Sequence, residues 1–375
     1  MNQSPKTNPQ NRITTVAVLV GLALGLVLVC FLPRLGPLRL LALLLVFLLS
    51  MAVALVLQLL LHEMGHCLLG LLTGYRLVSF RLGNRLFLRE GGRWRCAQFR
   101  LPGTAGQCLM APPDREPFPC ALYNLGGILL NLLSALTALA LWFCLPRSPW
   151  SAIPLWTFLA TGVAFALANV VPRLDQGVAN DGYNQRCLRR DPGSREAFRN
   201  TLRIHARLAQ GDRLRDMPDA WFRLPENADQ ASPLVCGLAV QALSRQLDLQ
   251  QLTGARAACD RLLQAPGLLG LHRSLVQGEL LYLELLGPRR RDWIDALFTP
   301  ELRSFLERLQ GTNPTALRLL YAHALLAAED EEAANRYLEA FQALGERYPY
   351  RGDYAQEQEL VALAQRAFAG VGPTG

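Results

Sequence analysis

The feature that most constrains this chain is an apolar run without proline, from Leu38 to about Thr73, that closes on Leu61-His62-Glu63-Met64-Gly65-His66. The run is too long for one simple membrane span and too short for two spans plus a loop, so it predicts a single long, tilted helix whose last turns carry the H-E-x-x-H motif. On a helix, residues four apart lie on one face. His62 and His66 can therefore present their imidazoles to one Zn²⁺, with Glu63 beside them to deprotonate a bound water. The chemistry requires neutral nitrogen ligands on one face, a carboxylate next to the metal and one coordination position left open. A glutamate and two histidines inside a membrane segment are costly unless they serve a function. The other histidines, His205, His272 and His323, all lie far downstream, so the apolar half holds only these two.

That half ends near Gly182. Residues 1–182 hold 14 basic and 6 acidic side chains, whereas residues 183–375 hold 24 of each. The whole basic excess thus belongs to the apolar half, where it is a topology signal and not a mark of nucleic-acid binding. The nine cysteines are odd in number and scattered, and none forms C-x-x-C. A disulfide framework or a cysteine zinc site is not expected, and reduced thiols are.

In chain order, residues 1–12 read as a short disordered tail. Four spans are expected, at about 13–32, 38–73, 120–145 and 150–171. A signal peptide at the N-terminus is disfavoured, because the apolar core is too long and no small-x-small cleavage site follows it. Between the second and third spans, 75–113 forms a β/loop insertion. Leu77–Leu82 and Trp94–Phe99 alternate in polarity, and Gly83-Asn84 and Gly91-Gly92 supply turns, which predicts short strands in hairpins. The insertion is rich in arginine: Arg76, Arg81, Arg85, Arg89, Arg93, Arg95 and Arg100. One reading is a basic face near anionic headgroups; the other is a sheet edge that receives an extended substrate by strand addition. Leu101–Pro113 is expected to be a Gly/Pro-rich loop close to the site. In the third span, Asn131 either bonds a neighbouring helix or stabilises charge on a substrate carbonyl oxygen. The loop at 74–119 carries eight arginines, against one each at 33–37 and 146–149. Four spans with both termini in the cytoplasm satisfy this asymmetry. That topology brings the ends of the second and fourth spans to the same side, so the histidines and the segment Asp175–Asp181 can meet.

A catalytic zinc requires three protein ligands and an open position. In the apolar half the remaining carboxylates are Glu90, Asp114, Glu116, Asp175 and Asp181. Over roughly residues 38–185 the sequence resembles the site-2 protease family of intramembrane zinc metalloproteases. His62-Glu63-x-x-His66 matches that family's zinc helix, and Gly126-Gly127-x-x-x-Asn131 looks like its middle motif. Asn169-x-x-Pro172 followed by Asp181-Gly182 looks like its last motif, with a spacer about four residues longer than the family's and with Asp175 inside it. The resemblance implies that Asp181 is the third ligand, with Asp175 the runner-up, and that Asn131 and Asn169 position substrate. It also implies Zn²⁺-assisted hydrolysis of a peptide bond in a membrane-embedded protein or peptide substrate, with Glu63 as general base.

Residues 184–375 read as all-helical, with breaks at Pro192-Gly193, Pro225, Pro266-Gly267, Gly287-Pro288, Pro300 and Pro314. Ala316–Tyr350 predicts a helical hairpin resembling tetratricopeptide repeats, and Gln241–Leu263 another. This half is expected to be a cytosolic module that binds a protein partner. The expected fold is an all-α membrane protein with a small β-hairpin insertion: four transmembrane helices, then a soluble TPR-like domain. The expected location is a bacterial cell membrane. Two functions compete: an intramembrane zinc endopeptidase, and a membrane-anchored scaffold whose protease half has decayed.

Overall fold

A computed structural model describes residues 36–100, 104–175, 178–224, 228–268 and 270–370. The expected tail at 1–12 and first span at 13–32 lie outside the described residues. The described residues are mostly helical, with a small antiparallel sheet and three helices apolar and long enough to cross a membrane.

The first of these, α1 (Pro37–Leu72), is one unbroken helix. At 1.5 Å per residue it is about 54 Å long, well beyond the roughly 30 Å of a hydrocarbon core. Most of its leucines are exposed, including Leu44, Leu48, Leu68 and Leu72. Its buried residues instead include the polar Gln58, His62, Glu63 and His66. The usual amphipathic pattern is thus inverted, as lipid contact allows. The helices α2 (Cys120–Cys144) and α3 (Pro149–Val170) pack against α1 and against each other. Where α1 and α2 cross, a Cβ on Gly65 or Gly126 would strike the other helix's backbone. Two glycines in register therefore let the backbones touch.

Between α1 and α2 lies a four-stranded sheet of β1 (Arg76–Leu82), β2 (Arg85–Glu90), β3 (Arg93–Gln98) and β4 (Gly106–Ala111), in the order β3-β2-β1-β4. The first three strands follow the alternation and turns of the sequence. The fourth corrects an expectation, since part of the Gly/Pro-rich segment 101–113 is a strand. Cys108, Leu109 and Met110 are all buried, so β4 is covered on both faces and lacks the polar alternation that marks a half-exposed strand. It runs beside the last turns of α1, where a Cβ on Gly70 would meet the Met110 side chain.

After α3 a two-residue hairpin, β5 (Leu174–Asp175) with β6 (Val178–Ala179), leads into α4 (Asp181–Arg190) and α5 (Pro192–Leu208). The change of composition near Gly182 therefore falls within the first turn of α4. Leu202 and Ala206 of α5 join Met110 and Tyr123 in one core cluster. Arg199 and Arg203 reach back to Glu116 and Asp114. The remaining helices are α6 (Pro233–Asp248), α7 (Leu252–Gln264), α8 (Gly270–Leu286), α9 (Arg291–Leu297), α10 (Pro300–Leu309), α11 (Pro314–Leu326), α12 (Glu331–Arg347) and α13 (Arg351–Phe368). Several begin on the prolines expected to break helices. Pro192, Pro300 and Pro314 sit in first turns, where a missing N–H costs nothing. Helices α11 and α12 pack as a pair, as do α6 and α7. The turn of the expected hairpin Ala316–Tyr350 falls between Leu326 and Glu331, where Asp330 caps α12 by accepting from the Ala333 N–H.

Candidate metal centre

His62, His66 and Asp181 come together, each offering one ligand atom. His62 Nε2 and His66 Nε2 are 3.2 Å apart, and Asp181 Oδ2 lies 3.2 Å from the first and 3.4 Å from the second. The three atoms form a nearly equilateral triangle. Zinc bonds of about 2.0–2.1 Å at tetrahedral angles require ligand atoms about 3.3 Å apart.

The hydrogen bonds behind the triangle decide what faces its centre. His66 Nδ1 lies 2.8 Å from the Tyr123 carbonyl oxygen. A carbonyl can only accept, so Nδ1 carries the proton and a neutral ring turns the lone pair of Nε2 inward. The His62 side reaches the same result through a relay across three helices. The Gln58 Nε2 amide donates to the Phe158 carbonyl of α3 and to Ser134 Oγ of α2. That leaves Gln58 Oε1 as an acceptor for the Asn131 amide, which also donates to the Gln58 carbonyl. Asn131 must then point Oδ1 at His62 Nδ1, at 2.8 Å, and the proton of His62 sits there. Two imidazole lone pairs and a carboxylate oxygen thus converge. Asp181 Oδ2 is buried and, among the described residues, receives no hydrogen bond. Three electron-rich atoms this close require shared protons or a cation between them, and a divalent metal satisfies all three at once. The residues present therefore fit zinc.

Asp181 is held in place by local chemistry. Asn180 caps α4 by accepting from the Tyr183 N–H, while its amide donates to the Ala168 and Val171 carbonyls at the end of α3. Asn124 of α2 donates to the Asp181 carbonyl at 2.8 Å. A Cβ on Gly182 would strike the Val170 carbonyl, so the Asp-Gly pair lets α4 press directly onto α3. Asp181 also sits in the first turn of its helix, where a negative charge is favoured. Gly127 has a comparable role, since a Cβ there would lie within contact of the His62 ring.

Glu63 is buried, and a Cβ on Gly106 would strike its carboxylate. Strand β4 thus passes directly beside the expected general base. Arg81 holds this corner: fully buried on β1, it donates to the Gly83, Thr104 and Gly106 carbonyls. Of the other expected residues, Asn131 joins the cluster through His62, and its amide and carbonyl are both engaged within the protein. Asn169 does not join. Its amide turns back to the Phe165 carbonyl of its own helix. Asp175 has its backbone in β5, and its side chain lies outside the described residues. Glu90, Asp114 and Glu116 pair with arginines elsewhere.

Sequence reasoning missed Gln58, Asn124 and Asn180. Two signals were available. Gln58 stands four residues before His62 in an otherwise apolar run, and Asn124 stands seven before Asn131, on the same helix face. No family model, curated protein or solved structure matches the chain.

Proposed function

We propose that this protein is an intramembrane zinc metalloendopeptidase of the site-2 protease type. The observation that carries the reading is the triangle of converging lone pairs on His62, His66 and Asp181, with a carboxylate next in sequence on the same helix. Zinc bound there would acidify a water and polarise the scissile carbonyl. Glu63, adjacent to His62, takes the proton from the attacking water and later returns it to the leaving amine. Hydration of the carbonyl and loss of the amine break the C–N bond.

A membrane-embedded helix hides its carbonyls in its own hydrogen bonds, so the substrate must be locally unwound before attack. Among the described residues, strand β4 has a strand on one side only, and it passes Glu63. Its other side offers backbone groups to an extended segment. In this reading the chain has four spans with both termini in the cytoplasm of a bacterial cell. Residues 184–375 form a cytosolic TPR-like module that binds a protein partner. Two observations favour an enzyme over a decayed scaffold: the proton relay behind His62 is complete, and the glycines that the cluster needs, Gly127 and Gly182, are in place.

The test is zinc content of the detergent-purified chain, followed by cleavage of a membrane-embedded peptide. Wild type and Asp175→Ala should hold about one equivalent of zinc, and His66→Ala and Asp181→Ala almost none. Glu63→Gln should keep its zinc and lose cleavage by about 10²–10⁴-fold. A wild type that stays metal-free after zinc is supplied would end the metalloprotease reading. A wild type that holds zinc and cleaves no membrane peptide would favour the scaffold.

A further inference from the structure

We propose that the outward face of the β2–β3 hairpin docks on anionic phospholipid headgroups of the bilayer that α1 enters. This rests on α1 crossing a membrane and is independent of the metal centre. The residues Cys108, Phe80, Phe87 and Cys96 form one row across β4, β1, β2 and β3. Residues opposite each other in a sheet project from the same face. At one end of the row Cys108 is buried, in a cluster against which Cys67 of α1 packs. The face that meets α1 at β4 therefore continues past the helix onto β2 and β3. There it is uncovered: Phe87 is 44% exposed, Trp94 is 55% exposed, and Arg85, Arg89, Cys96 and Gln98 are exposed with them.

The opposite face of the hairpin is already occupied. Leu86 and Leu88 are fully buried, and Arg95 donates to the Pro349 carbonyl of the helical half. Among the described residues, neither Arg85 nor Arg89 has a carboxylate partner, and the outward face holds no acidic residue. Its chemistry is aromatic and cationic at once, which matches the boundary between hydrocarbon and phosphate. The guanidinium group suits the phosphate in particular. Position selects a lipid over a soluble anionic partner. Only Thr73, Gly74 and Tyr75 separate the end of α1 from Arg76 of β1. Strands β1 and β4 pack on α1, whose last turns also carry the exposed Leu68, Leu71 and Leu72, so the sheet cannot swing clear of the membrane surface.

Cys96 lies on this face and reports its own burial. The full-length protein would be placed in nanodiscs of phosphatidylcholine, alone or mixed with phosphatidylglycerol. Modification by a water-soluble maleimide would be followed at the Cys96 peptide, with a free soluble thiol in the same sample as control. The expected result is a slowing of Cys96 modification in the anionic discs by roughly fivefold or more, with the soluble thiol unchanged. High salt and the double variant Arg85→Glu/Arg89→Glu should each abolish the slowing. Equal modification in both lipids, whether fast or slow, would overturn the proposal. The lipid comparison uses the unaltered chain, so its outcome does not depend on the variant folding.

Discussion

Two buried polar clusters, one in each half of the molecule, differ in how their charges close. In the helical half, Arg318 is fully buried between Glu279 and Glu357, with Nη2 2.6 Å from the first and Nε 2.5 Å from the second. Thr315 donates to the remaining Glu357 oxygen, and the guanidinium lies over the Tyr282 ring. Here a cation from the chain itself faces the carboxylates. In the membrane half, His62, His66 and Asp181 present lone pairs to one another, and among the described residues no lysine or arginine pairs with Asp181 Oδ2. Burial of charge is tolerated when opposite charge and hydrogen bonds meet it. In the first cluster the chain supplies its own cation between the carboxylates, although, among the described residues, Glu279 Oε2 and Arg318 Nη1 stay without a hydrogen-bond partner. The second has no such cation among the described residues, which supports the metal-binding reading proposed above.

The comparison can be broken by removing one group from each side. Arg318→Met leaves two buried carboxylates unpaired and should destabilise the helical half by about 3–5 kcal/mol, read by chemical denaturation. Asp181→Asn should leave the melting of the metal-free protein nearly unchanged while abolishing zinc uptake. If both variants instead unfolded the protein to the same degree, the two clusters would be alike and Asp181 would be structural.

A smaller effect sharpens the membrane side. Gln58→Leu frees the Asn131 amide to rotate, and the proton on His62 is then no longer confined to Nδ1. Zinc affinity should fall roughly 10–100-fold, as for other groups that orient a ligand. Ser134→Ala removes a weaker partner of the same Gln58 and should cost less. A Gln58→Leu protein with wild-type zinc affinity would show that the relay does not matter.

The smallest effect concerns pH. Asp353 begins α13, beside Glu357, and accepts from the Tyr348 hydroxyl. Burial, then the nearby Glu357, raises its pKa from 3.8 to about 7. The native state therefore binds a proton that the unfolded chain releases at lower pH, and this proton's contribution to stability is lost as pH rises from about 4 to about 7. Asp353→Asn imitates the protonated form and should raise the melting temperature at pH 8 more than at pH 5. An equal shift at both values would place the charge of Asp353 outside the balance.

Much of the architecture was legible because it is written within single elements. The span expected at 38–73 is the helix Pro37–Leu72, and those expected at 120–145 and 150–171 are Cys120–Cys144 and Pro149–Val170. Apolar composition over twenty or more residues leaves a membrane helix few alternatives. The i, i+4 spacing of His62 and His66 likewise places both rings on one face before any other part of the chain is considered. Strand β4 was not legible, since both α1 and α5 pack against it, and neither cover can be read from Gly106–Ala111 alone.

Tertiary structure decided the remainder of the centre. Asp181 stands beside the imidazoles because Asn180 ties α4 to the end of α3 and Gly182 lets the two helices touch. Asn131 turns its oxygen to His62, and not its amide to a substrate, because Gln58 and Phe158 leave it no other orientation. A side chain's position along a helix is set by covalent repeat and is present in the sequence. The direction in which its amide points is set by acceptors on two other helices, and exists only once the three are packed.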